Sequence, residues 1–325
     1  MKTAASSRAT GSTFFIPRQE VEMTESQKED RLNLYGRTFT SRLLLGTARY
    51  ASPAVLADAI HAAVPAMLTL SLRRQVSGSS HSGQSFWDLV QETGRTILPN
   101  TAGCSTASEA VNTACMAREM FQTDLIKLEV IGDEANLQPD PYGLVDAATE
   151  LVKRGFQVLP YCTEDWVLCR RLMDAGCEVL MPWAAPIGTG QGPRNPRGLR
   201  ELRERAPQVR LIVDAGLGLP SHACQVMEWG FDGVLVNTAV SCAIDPVQMA
   251  AAFANGVRAG RAAFLAGPMI PRDAAVPSTP EIGRPFASAP PQFPMEQGAR
   301  SGFQPILLSI LDTERNSPIL ALKSL

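Results

Sequence analysis

Long apolar runs are missing from this sequence: none approaches the roughly 18–20 residues that a membrane span requires, which points to a soluble protein. A field of one charge sign is missing too. The 30 basic and 32 acidic side chains leave a net charge of −2, whereas a nucleic-acid binder normally carries a basic face. Cysteine-pairing signals are absent. Seven cysteines (Cys104, Cys115, Cys162, Cys169, Cys177, Cys224, Cys242) form no CxxC pair, and His61, His81 and His222 lie far apart in sequence. This spacing argues against a zinc cluster or a disulfide framework and fits buried, reduced thiols in a cytoplasmic protein. No apolar h-region of about 7–15 residues follows the start, which disfavours a secretory signal. Lysine is scarce: only Lys2, Lys28, Lys127, Lys153 and Lys323 occur among the 30 basic residues.

What is present is globular composition, 45 % apolar and 19 % charged, which excludes wholesale disorder. A length of 325 residues allows one large α/β domain or two small ones. Residues 1–30 are polar and small, with one apolar patch at Phe14-Phe15-Ile16. They read as a disordered extension, a transit peptide, or sequence upstream of a true start at Met23. Residues 268–305 carry nine of the 24 prolines, so they cannot sustain regular helix or strand. They are expected, within 268–325, to form a tail. The stretches ILLSIL and PILAL near the end could dock on a partner or do nothing.

Residues 31–267 alternate. Strand-like runs fall at 42–47, 67–72, 95–101, 124–131, 156–162, 178–183, 209–216 and 232–240. Helical patterning follows them, for example at 105–118, 141–154, 164–175 and 246–262, and is least regular after the second run. Apolar strands alternating with helices mean a parallel sheet covered on its faces. Eight such units predict a (β/α)8 TIM barrel of about 250 residues. The alternative is a doubly wound open sheet, against which the missing GxGxxG turn argues.

A barrel of this kind places its chemistry where strands end. There the runs carry Asn100-Thr101, Lys127 and Glu129, Tyr161, PIGTGQG (186–192), Asp214-Ala215-Gly216 and Asn237-Thr238. Strand alternation puts Lys127 and Glu129 on one face and Leu128 and Val130 on the other. In a chain that prefers arginine, a lysine here points to amine chemistry, because a desolvated lysine can lose its proton and attack a carbonyl. A salt-bridged lysine closing the strand is the competing reading. Glu129 is then a proton carrier or merely charge balance, and Asp214 an acid/base or a structural acceptor. The turn with Gly216 and Gly218, ahead of a helix opening at Pro220-Ser221, offers amides for an anion. The loops after strands seven and eight are the habitual phosphate site of such barrels. The residues alone thus predict a phosphate-bearing carbonyl compound held at the rim beside Lys127.

The ordered motifs RLLLGTARY, LPNTAG, KLEVIGD, LQPDP, VLPYC, PIGTGQG, VDAGLG and VNTAVS resemble the bacterial thiazole synthases of thiamine biosynthesis, from about Leu32 to Phe286. The resemblance implies three inputs: 1-deoxy-D-xylulose 5-phosphate, dehydroglycine (2-iminoacetate), and sulfur from the C-terminal thiocarboxylate of a small sulfur carrier protein. It implies a Schiff base on Lys127, with Glu129 and Asp214 as acid/base residues. Sugar-phosphate contacts then fall on Gly188, Ala215, Gly216, Asn237 and Thr238. No metal or organic cofactor is implied, and a cytoplasmic homo-oligomer is. Three features depart from the family: Trp183 where a small residue is usual, a serine-rich linker at 73–88 expected to be a mobile active-site loop, and the tail beyond Phe286. Two rivals remain open, an imine-forming aldolase on the same barrel and a non-catalytic docking platform.

Overall fold

A computed structural model describes residues 30–72, 80–276 and 278. The expectations for residues 1–29, for 73–79 of the linker and for the tail from 279 on fall outside the described residues. The chain divides into one unit ending at Met269 and another running from Ile270 to Leu325. In the second, residues 270–276 carry neither helix nor strand and are exposed.

The first unit is a (β/α)8 barrel, and the open-sheet alternative is excluded by its closure. The staves are β3 (Leu43–Gly46), β4 (Met67–Ser71), β5 (Thr96–Asn100), β6 (Leu125–Leu128), β9 (Gln157–Cys162), β10 (Val179–Pro182), β11 (Arg210–Asp214) and β12 (Gly233–Val236). They pair in that order, β12 closing on β3, and every pairing is parallel. Helices α1 (Pro53–Ala63), α2 (Ser80–Glu92), α3 (Ala107–Phe121), α4 (Pro141–Lys153), α5 (Trp166–Asp174), α6 (Pro196–Arg205), α7 (Pro220–Glu228), α8 (Thr238–Ser241) and α9 (Pro246–Ala266) lie between and after them.

Local sequence explains where many helices start. Ser52-Pro53, Asp140-Pro141, Asn195-Pro196 and Asp245-Pro246 each put a side-chain acceptor at the N-cap and a proline in the first turn. The acceptor satisfies an orphan amide, and proline has no amide to orphan. Substituting alanine for such a cap costs about 1 kcal/mol. Helix α9 comes close to α7 because Gly256 and Gly260 have no β-carbon: one would strike the carbonyls of Pro220 and Cys224.

Strand alternation sorts the core into two layers. One cluster fills the barrel, with Leu44, Met67, Leu98, Leu125, Leu159 and Met181 among its members. The other, including Leu43, Leu45, Leu68, Ile126, Leu128 and Val158, packs against the helices. The apolar area removed from water here, at about 25 cal/mol per Å², is what closes the sheet.

The structure adds two hairpins that the run pattern lacks. β1 (Leu32–Leu34) and β2 (Arg37–Phe39) pair antiparallel around Tyr35-Gly36. Leu32 and Leu34 join the interior cluster, and the Tyr35 hydroxyl donates to the Val158 carbonyl at 2.6 Å. The hairpin therefore plugs the N-terminal end of the barrel. β7 (Ile131–Asp133) pairs with β8 (Gln138–Pro139) beyond β6.

Two boundaries are corrected. The run at 232–240 stops being strand at Val236, and Thr238–Ser241 turn into helix because the Asn237 carbonyl takes the amides of Val240 and Ser241. Residues 80–88, expected within a loop, belong to α2. Its Val90 is fully buried, and its Trp87 ring lies 5.3 Å from that of Phe121, so apolar packing overrides the serine-rich composition.

Candidate active site

Lys127 sits near the end of β6, level with Leu159 on one side and Asn100 on the other. It points inward with Leu125 beneath it, and is 5 % exposed. Its Nζ lies 2.5 Å from Asp214 Oδ2 and 3.1 Å from Glu129 Oε1. The Asp214 Oδ2 atom is buried, and the lysine ammonium is its ion-pair partner. The Tyr161 ring stands 5.7 Å from Nζ. Burial alone lowers the lysine pKa, but the charges of Asp214 and Glu129 outweigh it and hold the group above its ordinary value. The resting lysine is a cation between two buried acids.

Both acids are fixed by backbone. Asp214 ends β11 opposite Leu235. Glu129 lies just past β6, where Thr101 anchors it twice: the Thr101 hydroxyl donates to the Glu129 carbonyl and accepts the Glu129 amide, each at 2.7 Å. Thr101 is fully buried. Asn100 donates to the Thr69 hydroxyl at 3.1 Å, and its oxygen accepts the Ala102 amide at 3.2 Å.

Lys127, Glu129, Asp214, Gly188, Ala215, Gly216, Asn237 and Thr238 all line one cavity of about 630 Å³ at the C-terminal end of the barrel. The structure thus brings together the catalytic and sugar-phosphate residues that the resemblance implies, while Thr101 and Tyr161 do not line the cavity. The rim is built by backbone that favours glycine: φ is +78° at Gly188, +65° at Gly190, +75° at Gly192 and +73° at Gly216. A β-carbon on Gly216 would collide with Ala185, and one on Gly218 with the Gly190 carbonyl. The loops after β10 and β11 therefore lie directly on one another, joined by the Gly192 amide donating to the Gly216 carbonyl at 2.8 Å.

The structure redistributes the amides expected to bind an anion. Those of Gly218 and Leu219 donate to His222 Nδ1, at 3.2 and 3.3 Å, and are not available. Those of Gly188 and Gly216 have no acceptor among the described residues. The Asn237 side chain is in use as well, its Oδ1 accepting the Ala48 amide at 3.2 Å.

Sequence reading missed several parts. Arg49 lines the cavity, and both it and Ala215 are non-glycine residues in the left-handed region, at φ +71° and +65°. Each such residue costs about 1 kcal/mol. The position of Arg49 three residues beyond the first stave was the available signal. Trp183, which stands where a small residue is usual, turns aside: its Nε1 donates to Glu164 Oε2 at 2.7 Å. It lines a neighbouring pocket with Asn136, Gln138 and Arg194 instead. Among the described residues, no group of three or more His, Cys, Asp or Glu side chains is placed to hold a metal ion, and no helix is long and apolar enough to cross a membrane.

A closed (β/α)8 barrel with ionisable side chains gathered in a cavity at its C-terminal mouth is the architecture of a barrel enzyme. Residues 33–280 match the family model described as thiazole biosynthesis protein ThiG. A thiazole synthase of Burkholderia pseudomallei (strain 1710b) is 64 % identical over 265 residues, covering 81 % of this chain and 97 % of the relative. One from Ralstonia pickettii (strain 12J) is 64 % identical over 257 residues, covering 79 % and 94 %. Among solved structures, the Amycolatopsis orientalis BexX/CysO complex matches with 33 % identity and a TM-score of 0.68, over 75 % of this chain and 98 % of that one. The chain belongs to the ThiG family, and its activity is that of a thiazole synthase in thiamine biosynthesis.

Proposed function

We propose that the barrel condenses 1-deoxy-D-xylulose 5-phosphate, dehydroglycine and the thiocarboxylate sulfur of a small carrier protein, through an imine on Lys127. The observation that carries this reading is the buried Lys127 held between Asp214 and Glu129 beneath an open mouth. A lysine held so is a cation at rest and must give up a proton before it can attack. Asp214, at 2.5 Å, is the nearest acceptor. With the proton on the carboxyl, the pair is neutral, and burial then favours the free amine over the ammonium.

The amine nitrogen adds to the ketone carbon of the sugar phosphate, and the carbonyl oxygen takes up a proton. The carbinolamine then loses that oxygen as water, with a second proton supplied by one of the two acids. The iminium withdraws electrons from the adjacent carbon, and a carboxylate removes its proton. Glu129, whose backbone Thr101 fixes, is suited to this transfer. Return of that proton to the former imine carbon, with loss of the hydroxyl proton on the neighbouring carbon, moves the carbonyl one position along the chain, leaves the lysine attached as an amine, and prepares the sugar for sulfur. The phosphate rests at the glycine rim, where the amides of Gly188 and Gly216 have no acceptor among the described residues. A protein thiocarboxylate needs an open approach, which the mouth gives; the BexX/CysO complex of the 33 % identical relative supports a protein partner.

The test is borohydride reduction with deoxyxylulose phosphate followed by peptide mass mapping. A reduced adduct on Lys127 that is missing in Lys127→Ala is the expected result. A folded protein that yields no adduct overturns the covalent route. An adduct formed without any dependence of turnover on a carrier thiocarboxylate would favour an aldolase.

A further inference from the structure

Among the described residues, the charged side chains lining the cavity are Lys127, Glu129, Asp214 and Arg49. The first three are already engaged with one another, the lysine lying 2.5 and 3.1 Å from the two carboxylates. As a set they carry one net negative charge. On the reading proposed above, this pocket must admit a phosphate dianion, and a partly enclosed, low-dielectric cavity makes that repulsion costly. Two free amides, at Gly188 and Gly216, offer dipoles but no full charge.

Arg49 is the lining cation left without a carboxylate. It takes part in none of the ion pairs or side-chain hydrogen bonds of the described residues. Arg42, Arg203, Arg210 and Arg261, by contrast, hold aspartates. Its place in the fold adds to the case. β12 pairs with β3, so the loop carrying Arg49 lies beside the one carrying Asn237 and Thr238. The Ala48 amide donates to Asn237 Oδ1 at 3.2 Å, and a β-carbon on Gly188 would stand 3.9 Å from Thr238 Oγ1. Gly188, Thr238, Asn237, Ala48 and Arg49 therefore form one continuous arc around the mouth. The residue is held in the left-handed region, φ +71°, a strain that sets where its side chain leaves the backbone.

We propose that Arg49 completes the phosphate site, its guanidinium supplying the positive charge while the amides of Gly188 and Gly216 take the remaining oxygens. This rests on the proposed sugar-phosphate reading. A guanidinium matches two phosphate oxygens at once, a geometry that lysine lacks. Arg49 thereby balances the extra negative charge of the lysine–acid trio, so the same trio can serve imine chemistry and still tolerate a dianion above it.

The test uses the full chain with Arg49→Gln and Arg49→Lys. Both keep the β-carbon in its left-handed position, so neither relieves nor adds backbone strain, and melting temperatures close to wild type confirm the fold. Inorganic phosphate is titrated by calorimetry, and deoxyxylulose phosphate is titrated in borohydride trapping at Lys127. Loss of a charge-assisted phosphate contact predicts about ten- to a hundredfold weaker phosphate binding in Arg49→Gln. The concentration of sugar phosphate that half-saturates trapping should rise by a similar factor, with Arg49→Lys in between. Unchanged phosphate affinity in Arg49→Gln, or no phosphate binding by wild type, overturns the proposal. Weakened dependence on dehydroglycine alone also overturns it, assigning Arg49 to a carboxylate. If wild type binds phosphate through Arg49 yet forms no adduct, the anion site stands and the imine reading falls.

Discussion

The two ends of the barrel both bury charge, and they do it with different cations. At the N-terminal end the aspartates are held by arginine. Asp232 receives Arg203 at 2.9 Å and Arg210 at 3.1 Å, and also accepts the Leu211 amide at 2.9 Å. Asp30 receives Arg42 at 2.7 Å and Arg261 at 2.6 Å. Burial lowers the pKa of Arg42 and Arg203, yet a guanidinium starts so high that neither can lose its proton. The β1–β2 hairpin covers this end, with Leu32 and Leu34 fully buried. At the C-terminal end the cation is Lys127, held between the buried carboxylates of Glu129 and Asp214. One end has permanent cations, multiple hydrogen bonds and a plug. The other has a single lysine between two buried carboxylates, and a cavity above them. On the function proposed above, charge is built in as structure at the first end and as reactivity at the second.

The largest effect that tests this contrast is Lys127→Arg. The charge and its attraction to Glu129 and Asp214 are kept, but the proton cannot be released. Thiazole formation should fall by more than about a thousandfold, since covalent catalysis is removed altogether. The melting temperature should move little. Retained turnover would show that Lys127 acts only as a charge, and the two ends would then differ in nothing but exposure.

Next comes Asp232→Ala. It removes the carboxylate from half-buried Arg203, which keeps only the Ala206 and Val209 carbonyls, and leaves the Leu211 amide without its acceptor. Breaking a buried pair from one side costs about 3 kcal/mol, read as a lower urea midpoint with an unchanged slope. Activity per folded molecule should stay near wild type. A loss of activity exceeding the loss of folded protein would mean that the ends are coupled.

Much of this contrast was legible in the sequence, because it depends on short-range signals. The eight staves follow from apolar runs, several helix starts from a capping residue before proline, and the shared face of Lys127 and Glu129 from strand alternation. The rarity of lysine marked the position before any contact was visible. What was not legible depends on which loops become neighbours. Nothing near Trp183 in sequence announces that Glu164 will draw its indole aside. The helical patterning around His222 gives no hint that its ring takes the two amides expected to face a ligand. The hairpin at Leu32–Phe39 escaped for another reason: strands of three residues are too short to show a period, and they are held by long-range packing into the barrel.

The smallest effect sharpens the comparison through pH. Burial pushes the Asp30 carboxyl up, but the hydrogen bond from Arg261 and the charges of Arg42 and Arg261 prevail, holding it below its ordinary 3.8. A depressed carboxylate pKa stabilises the fold fully above the unfolded value, and that contribution disappears as pH falls through the folded value. Asp30→Asn should therefore lower the urea midpoint at pH 7, by about 1 kcal/mol in stability for a pair open to solvent on one side. The gap from wild type should begin to close below about pH 4 and vanish in stronger acid, where wild-type Asp30 is itself protonated. A gap that persists unchanged at pH 2 would show that Asp30 acts by shape and hydrogen bonding rather than by charge. The N-terminal end would then rest on the Asp232 cluster alone.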